Sequence, residues 1–467
     1  VPPPPPPFFS PPPEGGGVGP VQAAAGRSPS WGRTDDAENW QAGLGKDSAQ
    51  ARAENGGGQR RTAGVSSGAS PGASPDHSGH SGSRRSVNTY KVPVVTGPQQ
   101  PQSGGSATHP PESGGGGHVE DEANVERDQY GFKLTDKEFI PVYRDWVQQH
   151  QKKVEERKAK WMELFRKSPG TSYLSSDKLK KLVRKGIPDS SRGEVWMDIS
   201  GASKKKAASP GLYKSLVDAS ASGCSPDAMA QIELDLPRTF PEHVQFRGGA
   251  ETPVMLSLRR VLMAYASRNK VVGYCQGMNF IVGVMLLFVD EEKAFWLLCS
   301  LLEDILPPDY YTHDLSGCNV DLRVLKQMLL KRHAKLMKRC EEAGLGVEFF
   351  GLEWFIAIFS KTFPVETMLR VWDCIFLEGD KILFRVGLGI IEDNEKKLLA
   401  IKEPHELFQA VQGLGRTELD ADNLLKVGFG LRMKRSQVED LRQHYREEVR
   451  RERQERLAKK GAEVGNC

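Results

Sequence analysis

The stretch Gly273-Tyr-Cys-Gln-Gly-Met-Asn279 decides how the folded part of this chain is organised, together with the upstream stretch Ile232-Glu-Leu-Asp-Leu-Pro-Arg-Thr-Phe-Pro241. Both stretches are rich in residues that constrain or shape the backbone, namely glycine, proline and aromatic residues. Each also contains one prominent polar side chain, Arg238 in the upstream stretch and Gln276 in the downstream one. We expect the rest of the folded part to hold these two side chains at one surface.

The composition separates a long N-terminal extension from this folded part. The chain has 467 residues, including 48 Gly and 30 Pro, and a large share of both lies before about residue 118. Few branched aliphatic residues occur there, so the segment cannot bury enough apolar surface to offset its chain entropy. We therefore predict that residues 1–118 form a long disordered N-terminal segment.

The extension opens with a run of prolines from Pro2 to Pro7. Such a run favours an extended polyproline II conformation, which makes a proline-recognition domain a possible partner at the N-terminus. The same composition is typical of an extension without any specific partner, and we favour this second interpretation because compositional signals are weak. The chain begins at Val1 rather than Met, so we expect that its true start is missing or that the sequence is a fragment.

The charge, hydropathy and cysteine patterns argue against several classes of protein. A formal net charge of +4 on 467 residues is close to balance, so no nucleic-acid partner is expected. The most apolar stretch, Phe280–Val289, is much too short to cross a membrane. The 7 cysteines are scattered without a Cys-x-x-Cys pair. This pattern indicates reduced thiols in a cytosolic protein rather than a disulfide framework or a metal site.

From residue 119 onward the pattern is that of a helical protein. Apolar residues recur at helical spacing, and no alternation typical of β-strands is present. We predict an all-α fold. It would comprise a helical lead-in at 119–179, a helical domain at 180–400 and a helical C-terminal region at 401–467 with a charged, solvent-exposed tail.

Local signals predict several helix boundaries. Thr135 followed by Glu138 has the spacing of a capping box, which predicts a helix start at this point. Asp321–Cys340 has the pattern of one long amphipathic helix, and Tyr274–Phe288 that of a mostly buried helix. The latter assignment places Gln276 at a helix start.

The sequence lacks the motifs of common enzyme classes. It contains no Gly-x-x-x-x-Gly-Lys-Ser/Thr loop, so the chain is not expected to bind a nucleotide by itself in that way. From residue 119 onward, no Gly-x-Ser-x-Gly nucleophile motif, zinc-protease signature or kinase motif set is present. His243 and His313 lie in predicted loops without obvious partners, and we interpret both as surface histidines.

Taken alone, Arg238 and Gln276 are ordinary residues. An arginine after a proline is most often a surface residue or half of an ion pair, and Asp235 lies three positions earlier, where one helical turn would bring the two together. A glutamine at a helix start is most often a cap or a solvated residue. Neither side chain indicates a function without its flanking residues.

Together, the two stretches closely resemble the signature motifs of the TBC domain family, the GTPase-activating domains for Rab proteins. The resemblance rests on Ile232-x-x-Asp235-x-x-Arg238 and Tyr274-x-Gln276-x-x-Asn279. Further similar motifs are Gly186-Ile-Pro188 with Arg192 and Trp196, Trp354-Phe355, Leu369-Arg370-Val-Trp372-Asp373, and Glu378-Gly379. The resemblance covers about residues 180–400, and within the family the chain is most similar to the growth hormone-regulated TBC protein branch.

This resemblance implies a multi-helical TBC domain that accelerates GTP hydrolysis by a Rab protein and so regulates vesicle trafficking. It implies that Arg238 is an arginine finger and Gln276 a glutamine finger, both supplied in trans. Asp235 would orient Arg238, while Tyr274 and Asn279 would hold the loop and helix start that carry Gln276. The chain would be a GTPase activator whose reaction takes place on the partner, and whether it counts as an enzyme is left open.

Arginine and glutamine suit these implied roles chemically. Charge builds on the transferring phosphoryl group during GTP hydrolysis. A guanidinium stays charged and can stabilise this group through several hydrogen-bond donors that lie in one plane. A side-chain amide can donate to the phosphate and at the same time accept from the attacking water. A carboxylate can only accept and an ammonium group can only donate, so neither can do both. The remaining motif residues are expected to form a packing and ion-pair scaffold. They are Arg192, Trp196, Arg370, Trp372 and Asp373.

The implied partner is a Rab-family GTPase in its GTP-bound state. GTP and Mg²⁺ would be carried by that partner, so no cofactor of the chain's own is expected. The chain has no lipidation motif, so we expect a cytoplasmic protein that reaches endomembranes only indirectly, through the Rab. Two alternatives stay open, a non-catalytic Rab-binding adaptor and a scaffold that acts through the polyproline start and the charged tail. Intact Arg238 and Gln276 disfavour the adaptor.

Overall fold

The computed structural model describes residues 125–464. Within this range the regular structure is helical, and the only β-type pairing is an isolated antiparallel bridge between Arg127 and Lys133. The predicted all-α fold is therefore confirmed. The predicted disorder of residues 1–118 falls outside the described residues.

Eighteen α-helices follow one another in residues 125–464. In chain order they are α1 (Phe139–Lys167), α2 (Leu179–Lys185), α3 (Asp189–Ile199), α4 (Ala202–Ala208), α5 (Leu212–Asp218), α6 (Ser220–Gly223), α7 (Pro226–Asp235), α8 (Pro253–Arg268), α9 (Met278–Met285), α10 (Glu291–Ser300), α11 (Ser316–Arg332), α12 (Ala334–Glu342), α13 (Val347–Ile356), α14 (Val365–Glu378), α15 (Lys381–Ala400), α16 (Pro404–Gln412), α17 (Ala421–Gly430) and α18 (Arg435–Val464). Two 3₁₀ turns span Gly170–Ser175 and Leu236–Arg238, and a π-helical turn spans Leu301–Ile305. None of these helices is both long and apolar enough to span a bilayer.

Large aromatic side chains from distant helices meet in the core. The ring of Trp196 on α3 is fully buried. Its centroid lies 5.4 Å from that of Phe288, 5.8 Å from that of Trp372 and 5.1 Å from that of Phe376. Aromatic pairs at these separations stabilise a core beyond the area that they bury. The cluster therefore fixes α3 against α14, at the centre of the helical domain.

A buried carboxylate strengthens the same junction. Asp373 on α14 accepts hydrogen bonds from the backbone nitrogen of Ile187 at 2.8 Å, from Nε of Arg192 at 3.2 Å and from Nε1 of Trp196 at 2.8 Å. Because an unpaired charge in a protein interior is costly, these donors are what allow Asp373 to be fully buried. The arrangement matches the scaffold predicted for these motif residues.

The predicted start of α1 is wrong in its details. The helix begins at Phe139, and the residue before it, Glu138, makes no capping hydrogen bond with its side chain. The carboxylate of Asp136 instead accepts from the backbone nitrogens of Glu138 at 2.9 Å and Phe139 at 3.2 Å. Aspartate is favoured at the start of a helix because its short side chain can accept hydrogen bonds from backbone nitrogens two or three residues later. Thr135 therefore forms no capping box.

The segment predicted as one helix over Asp321–Cys340 consists of two. α11 ends at Arg332 and α12 begins at Ala334. His333 between them has φ −124° and ψ 41°, outside the helical region, and its buried imidazole lies 3.4 Å from a carboxylate oxygen of Glu392 and 3.1 Å from one of Glu395. The apolar spacing continues through this break, so the sequence pattern does not show it.

The charged C-terminal helix is only partly exposed. α18 packs along α11, and Val438 and Arg442 on its first turns are buried. The guanidinium of Arg442 donates to both carboxylate oxygens of Asp321 at 2.7 Å and also to Asp380. The prediction of a solvent-exposed tail is therefore wrong for this part of the helix, because the charge of Arg442 is compensated by carboxylates from distant segments.

Candidate functional site

Arg238 ends the 3₁₀ turn that follows α7. The start of α7 is well defined, since the side chain of Ser225 accepts a hydrogen bond from the backbone nitrogen of Ala228 at 3.2 Å and Pro226 occupies the first turn. Ile232 is fully buried and fixes the helix against the core. The chain then turns at Leu236–Arg238, which leaves the side chain of Arg238 36 % exposed.

Asp235 connects Arg238 to the second stretch. One of its carboxylate oxygens accepts from the guanidinium of Arg238, three residues along, and from Nε2 of Gln231 at 3.0 Å. The other accepts from the hydroxyl of Tyr274 at 2.5 Å. Burial, together with the Asp235 carboxylate, raises the pKa of Tyr274 well above its ordinary value, so this phenol stays a neutral donor. The predicted pairing of Asp235 with Arg238 is confirmed, and Asp235 also contacts the segment that carries Gln276.

Gln276 lies in a tight turn rather than within a helix. α9 begins at Met278 and ends at Met285, so the predicted helix Tyr274–Phe288 is wrong at both ends. Gly277 has φ +108°, a conformation that favours glycine, and a Cβ there would lie 2.5 Å from Cγ2 of Ile356. The turn that presents Gln276 is therefore pressed against the end of α13.

A buried hydrogen-bond chain joins the two loops directly. Nδ2 of Asn279 donates to Oγ1 of Thr239 at 2.7 Å, and Oγ1 of Thr239 donates to the backbone oxygen of Asp235 at 2.8 Å. Oδ1 of Asn279 accepts from the backbone nitrogen of Gly277 at 3.1 Å. Sequence reasoning assigned no role to Thr239, although it directly follows Arg238. Its buried hydroxyl makes the loop of Arg238 and the turn of Gln276 one connected unit.

An aromatic cluster holds the chain immediately after Thr239. Phe240 has φ +48°, a left-handed conformation that costs of order 1–3 kcal/mol outside glycine. Its ring packs at centroid distances of 5.0 Å from Phe132, 5.5 Å from Phe246 and 5.4 Å from Phe280. The absence of a side chain at Gly283 makes room for this ring, since a Cβ there would lie 2.9 Å from it. The cluster offsets the backbone strain and fixes the exit of the loop.

His243 is part of this support and is not a surface histidine. Its imidazole is buried, with Nε2 2.8 Å from the backbone oxygen of Tyr130 and Nδ1 accepting from the backbone nitrogen of Gln245 at 3.1 Å. Burial lowers the pKa of His243, which favours the neutral form that this pair of contacts requires. The prediction was therefore wrong for His243, whereas His313 is exposed as expected.

The arrangement brings all five predicted site residues into one region. Tyr274 and Asn279 hold the turn of Gln276 to the loop of Arg238, through Asp235 and Thr239 respectively. A guanidinium and a side-chain amide are thus presented from two rigidly linked loops. These groups can stabilise a developing negative charge and orient a polar reactant. Among residues 125–464, no group of His, Cys, Asp and Glu side chains could hold a metal ion.

Comparisons with known proteins point to one family. A family model described as the Rab-GTPase-TBC domain matches residues 189–399. Growth hormone-regulated TBC protein 1-A of Danio rerio is 38 % identical over 273 residues, which are 58 % of this chain and 75 % of that protein. Growth hormone-regulated TBC protein 1 of Homo sapiens is 37 % identical over 273 residues, or 58 % of this chain and 79 % of that protein. The crystal structure of the Chlamydomonas flagellar RabGAP TBC domain is similar with a TM-score of 0.56 at 32 % identity, covering 65 % of this chain and 99 % of its own.

Proposed function

The chain belongs to the TBC domain family, and from this premise we propose that it is a GTPase-activating protein that accelerates GTP hydrolysis by a Rab-family small GTPase. The observation that supports this proposal best is the linkage of Arg238 to Gln276. Two hydrogen bonds, from Tyr274 to Asp235 and from Asn279 to Thr239, connect the segments that carry them. Residues 180–400 would form the unit that acts on the GTPase.

Arg238 would act as an arginine finger. Hydrolysis of GTP spreads negative charge over the transferring phosphoryl group, and an arginine supplied by a second protein is worth about 10³–10⁵ in rate. The guanidinium of Arg238 is partly exposed while Asp235 holds it from the buried side. An arginine that is already oriented loses less side-chain entropy when it contacts the phosphate than a freely rotating one.

Gln276 would act as the glutamine finger that orients the attacking water. Its amide group can accept from the water and donate to the phosphate at the same time. The turn around it is fixed by the close approach of Gly277 to Ile356 and by the hydrogen bond from Gly277 to Asn279. Such fixation matters because catalysis of phosphoryl transfer consists largely of positioning and electrostatic stabilisation.

The partner would provide everything else that the reaction needs. GTP and Mg²⁺ would be bound by the Rab protein in its GTP-bound state, and the chain would complete the active site only while the two proteins are in contact. By ending the GTP-bound state, the chain would regulate vesicle trafficking. It would meet endomembranes through the Rab.

Phosphate release from a panel of GTP-loaded Rab proteins tests this proposal. A catalytic amount of the full chain is added to each Rab, and acceleration of at least one of them is the expected result. Binding of each GTP-loaded Rab is measured in parallel. Acceleration of none, with binding retained, would identify a non-catalytic adaptor instead.

A further inference from the structure

Two exposed apolar side chains lie beside the proposed catalytic loops. Val271 is 77 % exposed and Leu234 is 69 % exposed, the two highest values among the large apolar side chains of the described residues. Single exposed apolar residues are common on protein surfaces and need no explanation. The position of these two is informative, because Leu234 directly precedes Asp235 and Val271 lies three residues before Tyr274.

The hydrogen bond between Asp235 and Tyr274 joins the two segments on which Leu234 and Val271 lie. It measures 2.5 Å from hydroxyl to carboxylate. Consecutive Cα atoms are about 3.8 Å apart, so the Cα of Val271 lies within about 11 Å of that of Tyr274. Leu234 and Val271 therefore lie on the two segments that position Arg238 and Gln276.

Their exposure follows from fixed local structure. On α7 the inward positions are taken by Ala228, Ile232 and Asp235, which leaves Leu234 on the outer side. Val271 lies in a turn closed by two hydrogen bonds to Asn269, from the backbone nitrogen of Val272 to the side-chain oxygen at 3.1 Å and from that of Gly273 to the backbone oxygen at 2.7 Å. Because the backbone at both positions is fixed, a partner that covers these side chains does not have to order the segments that carry them.

Polar groups border this pair. Glu233, next to Leu234, forms an ion pair with Arg259 at 2.7 Å, and Lys270, next to Val271, is exposed. An apolar centre with a polar border is the usual anatomy of a protein–protein interface. A flat apolar contact with lipid would not favour a carboxylate in this position.

We propose that Leu234 and Val271 form a docking surface for the GTP-loaded small GTPase. This inference rests on the proposed function. A GTPase whose phosphates reach Arg238 and Gln276 must cover the surface immediately beside them, so the docking surface is continuous with the catalytic one. The two side chains supply apolar contacts at that interface, whereas the fingers supply the chemistry.

Steady-state kinetics of stimulated hydrolysis tests the docking surface with Leu234→Ser, Val271→Ser and the double variant, using a Rab that the wild type stimulates. Each single change removes an apolar side chain that the partner buries, so KM is expected to rise by roughly 10-fold with kcat unchanged. The double variant should show a larger rise. Leu234→Ile should restore a KM near that of the wild type.

Met162→Ser on α1 is the matched control, because Met162 is 59 % exposed and lies outside both finger segments. It should leave KM and kcat unchanged. A wild-type KM in both serine variants, or a KM that rises equally in the Met162 variant, would overturn the docking surface while the proposed function stands. If the wild type binds a GTP-loaded Rab without accelerating hydrolysis, the Kd of each variant for that Rab is measured instead. Weaker binding by the serine variants would then support the docking surface, although the proposed function has failed. If the wild type neither binds nor stimulates any GTPase, both proposals fail.

Discussion

Asn279 and Thr239 share a buried hydrogen bond of 2.7 Å from Nδ2 to Oγ1. Thr239 directly follows Arg238, and Asn279 lies three residues after Gln276, so this bond links the two loops within a few residues of each finger. The hydroxyl of Thr239 in turn donates to the backbone of Asp235. A displacement of either loop would therefore disturb the other.

Replacing Thr239 by valine should impair positioning more than binding. The side chain keeps its shape, but Nδ2 of Asn279 loses its acceptor, and an unsatisfied buried donor costs about 1–3 kcal/mol of stability. We expect kcat of stimulated hydrolysis to fall at least about 10-fold with KM unchanged, because small misplacements of catalytic groups are costly. Thr239→Ser retains the hydroxyl and should retain the rate. A valine variant that is less stable but fully active would show that Thr239 is only structural.

Replacing the fingers should remove catalysis while the chain still folds. Arg238→Ala should lower stability somewhat, because the buried carboxylate of Asp235 loses its cation and keeps only Gln231 and Tyr274 as side-chain donors. Arg238→Ala and Gln276→Ala are each expected to lower stimulated hydrolysis by orders of magnitude, about 10³-fold or more for the arginine. Arg238→Lys should also fail, because lysine lacks the planar fork. Phosphate release measures the rate, and circular dichroism reports the fold. Arg166→Ala is the control, since this arginine on α1 is 71 % exposed and pairs only locally with Glu163. Near-full activity of Arg238→Ala would refute the finger assignment.

Glu366 should make stability depend on pH. Burial raises the pKa of Glu366 to about 7, and its side chain accepts from the hydroxyl of Tyr143 at 2.5 Å. Because the folded state holds this proton more tightly than the unfolded state, the contribution of Glu366 to stability is present at low pH. It is lost as pH rises from about 4.3 to about 7, by of order 3 kcal/mol in all.

Urea unfolding of the wild type and of Glu366→Gln at several pH values measures this contribution. Glutamine retains an acceptor for Tyr143 and does not titrate, so the difference in unfolding free energy between the two proteins should change over this interval. A difference that is constant from pH 4 to pH 8 would show that Glu366 does not titrate there.

Loss of Arg442 should destabilise the fold far from the candidate site. This guanidinium lies between Asp321 and Asp380. Its removal leaves the buried carboxylate of Asp321 without a counter-charge, and Asp380 with only the more distant Arg435, at 3.6 Å. Breaking a buried pair in this way costs about 3–5 kcal/mol. We expect Arg442→Ala to lower the urea midpoint by a corresponding amount. Arg446→Ala, on the same helix but in a more exposed pair with Glu439, should cost no more than about 1 kcal/mol. Equal effects of the two changes would contradict the assigned role of Arg442.

Local pattern accounts for what could be predicted from the sequence. Apolar spacing predicts the helices, and a separation of three residues predicts the pairing of Asp235 with Arg238, because both depend on neighbours along one helix or turn. The motif resemblance brought Arg238 and Gln276 together as a site. The distances that link their loops are a property of the tertiary structure alone.

The features that escaped prediction involve partners far apart in the sequence. Thr239 accepts a hydrogen bond from Asn279, the imidazole of His243 contacts the backbone oxygen of Tyr130, and Arg442 donates to Asp321. No local signal distinguishes these polar residues from solvated ones, since hydrophilic side chains are mostly exposed. Their burial is possible only because the fold supplies the matching donor, acceptor or counter-charge.

The close approach of Gly277 to Ile356 also restricts which substitutions a lineage can accept. The left-handed backbone at position 277 disfavours any residue with a Cβ, and such a Cβ would meet both the side chain and the carbonyl oxygen of Ile356, at 2.5 Å and 3.1 Å. Shortening Ile356 would relieve only the first of these contacts. Position 277 therefore requires glycine even when the side chain at position 356 changes. A larger residue at position 356 would press on the same turn. Evolution of α13 is therefore constrained by a residue 79 positions earlier in the sequence, next to the catalytic glutamine that we propose.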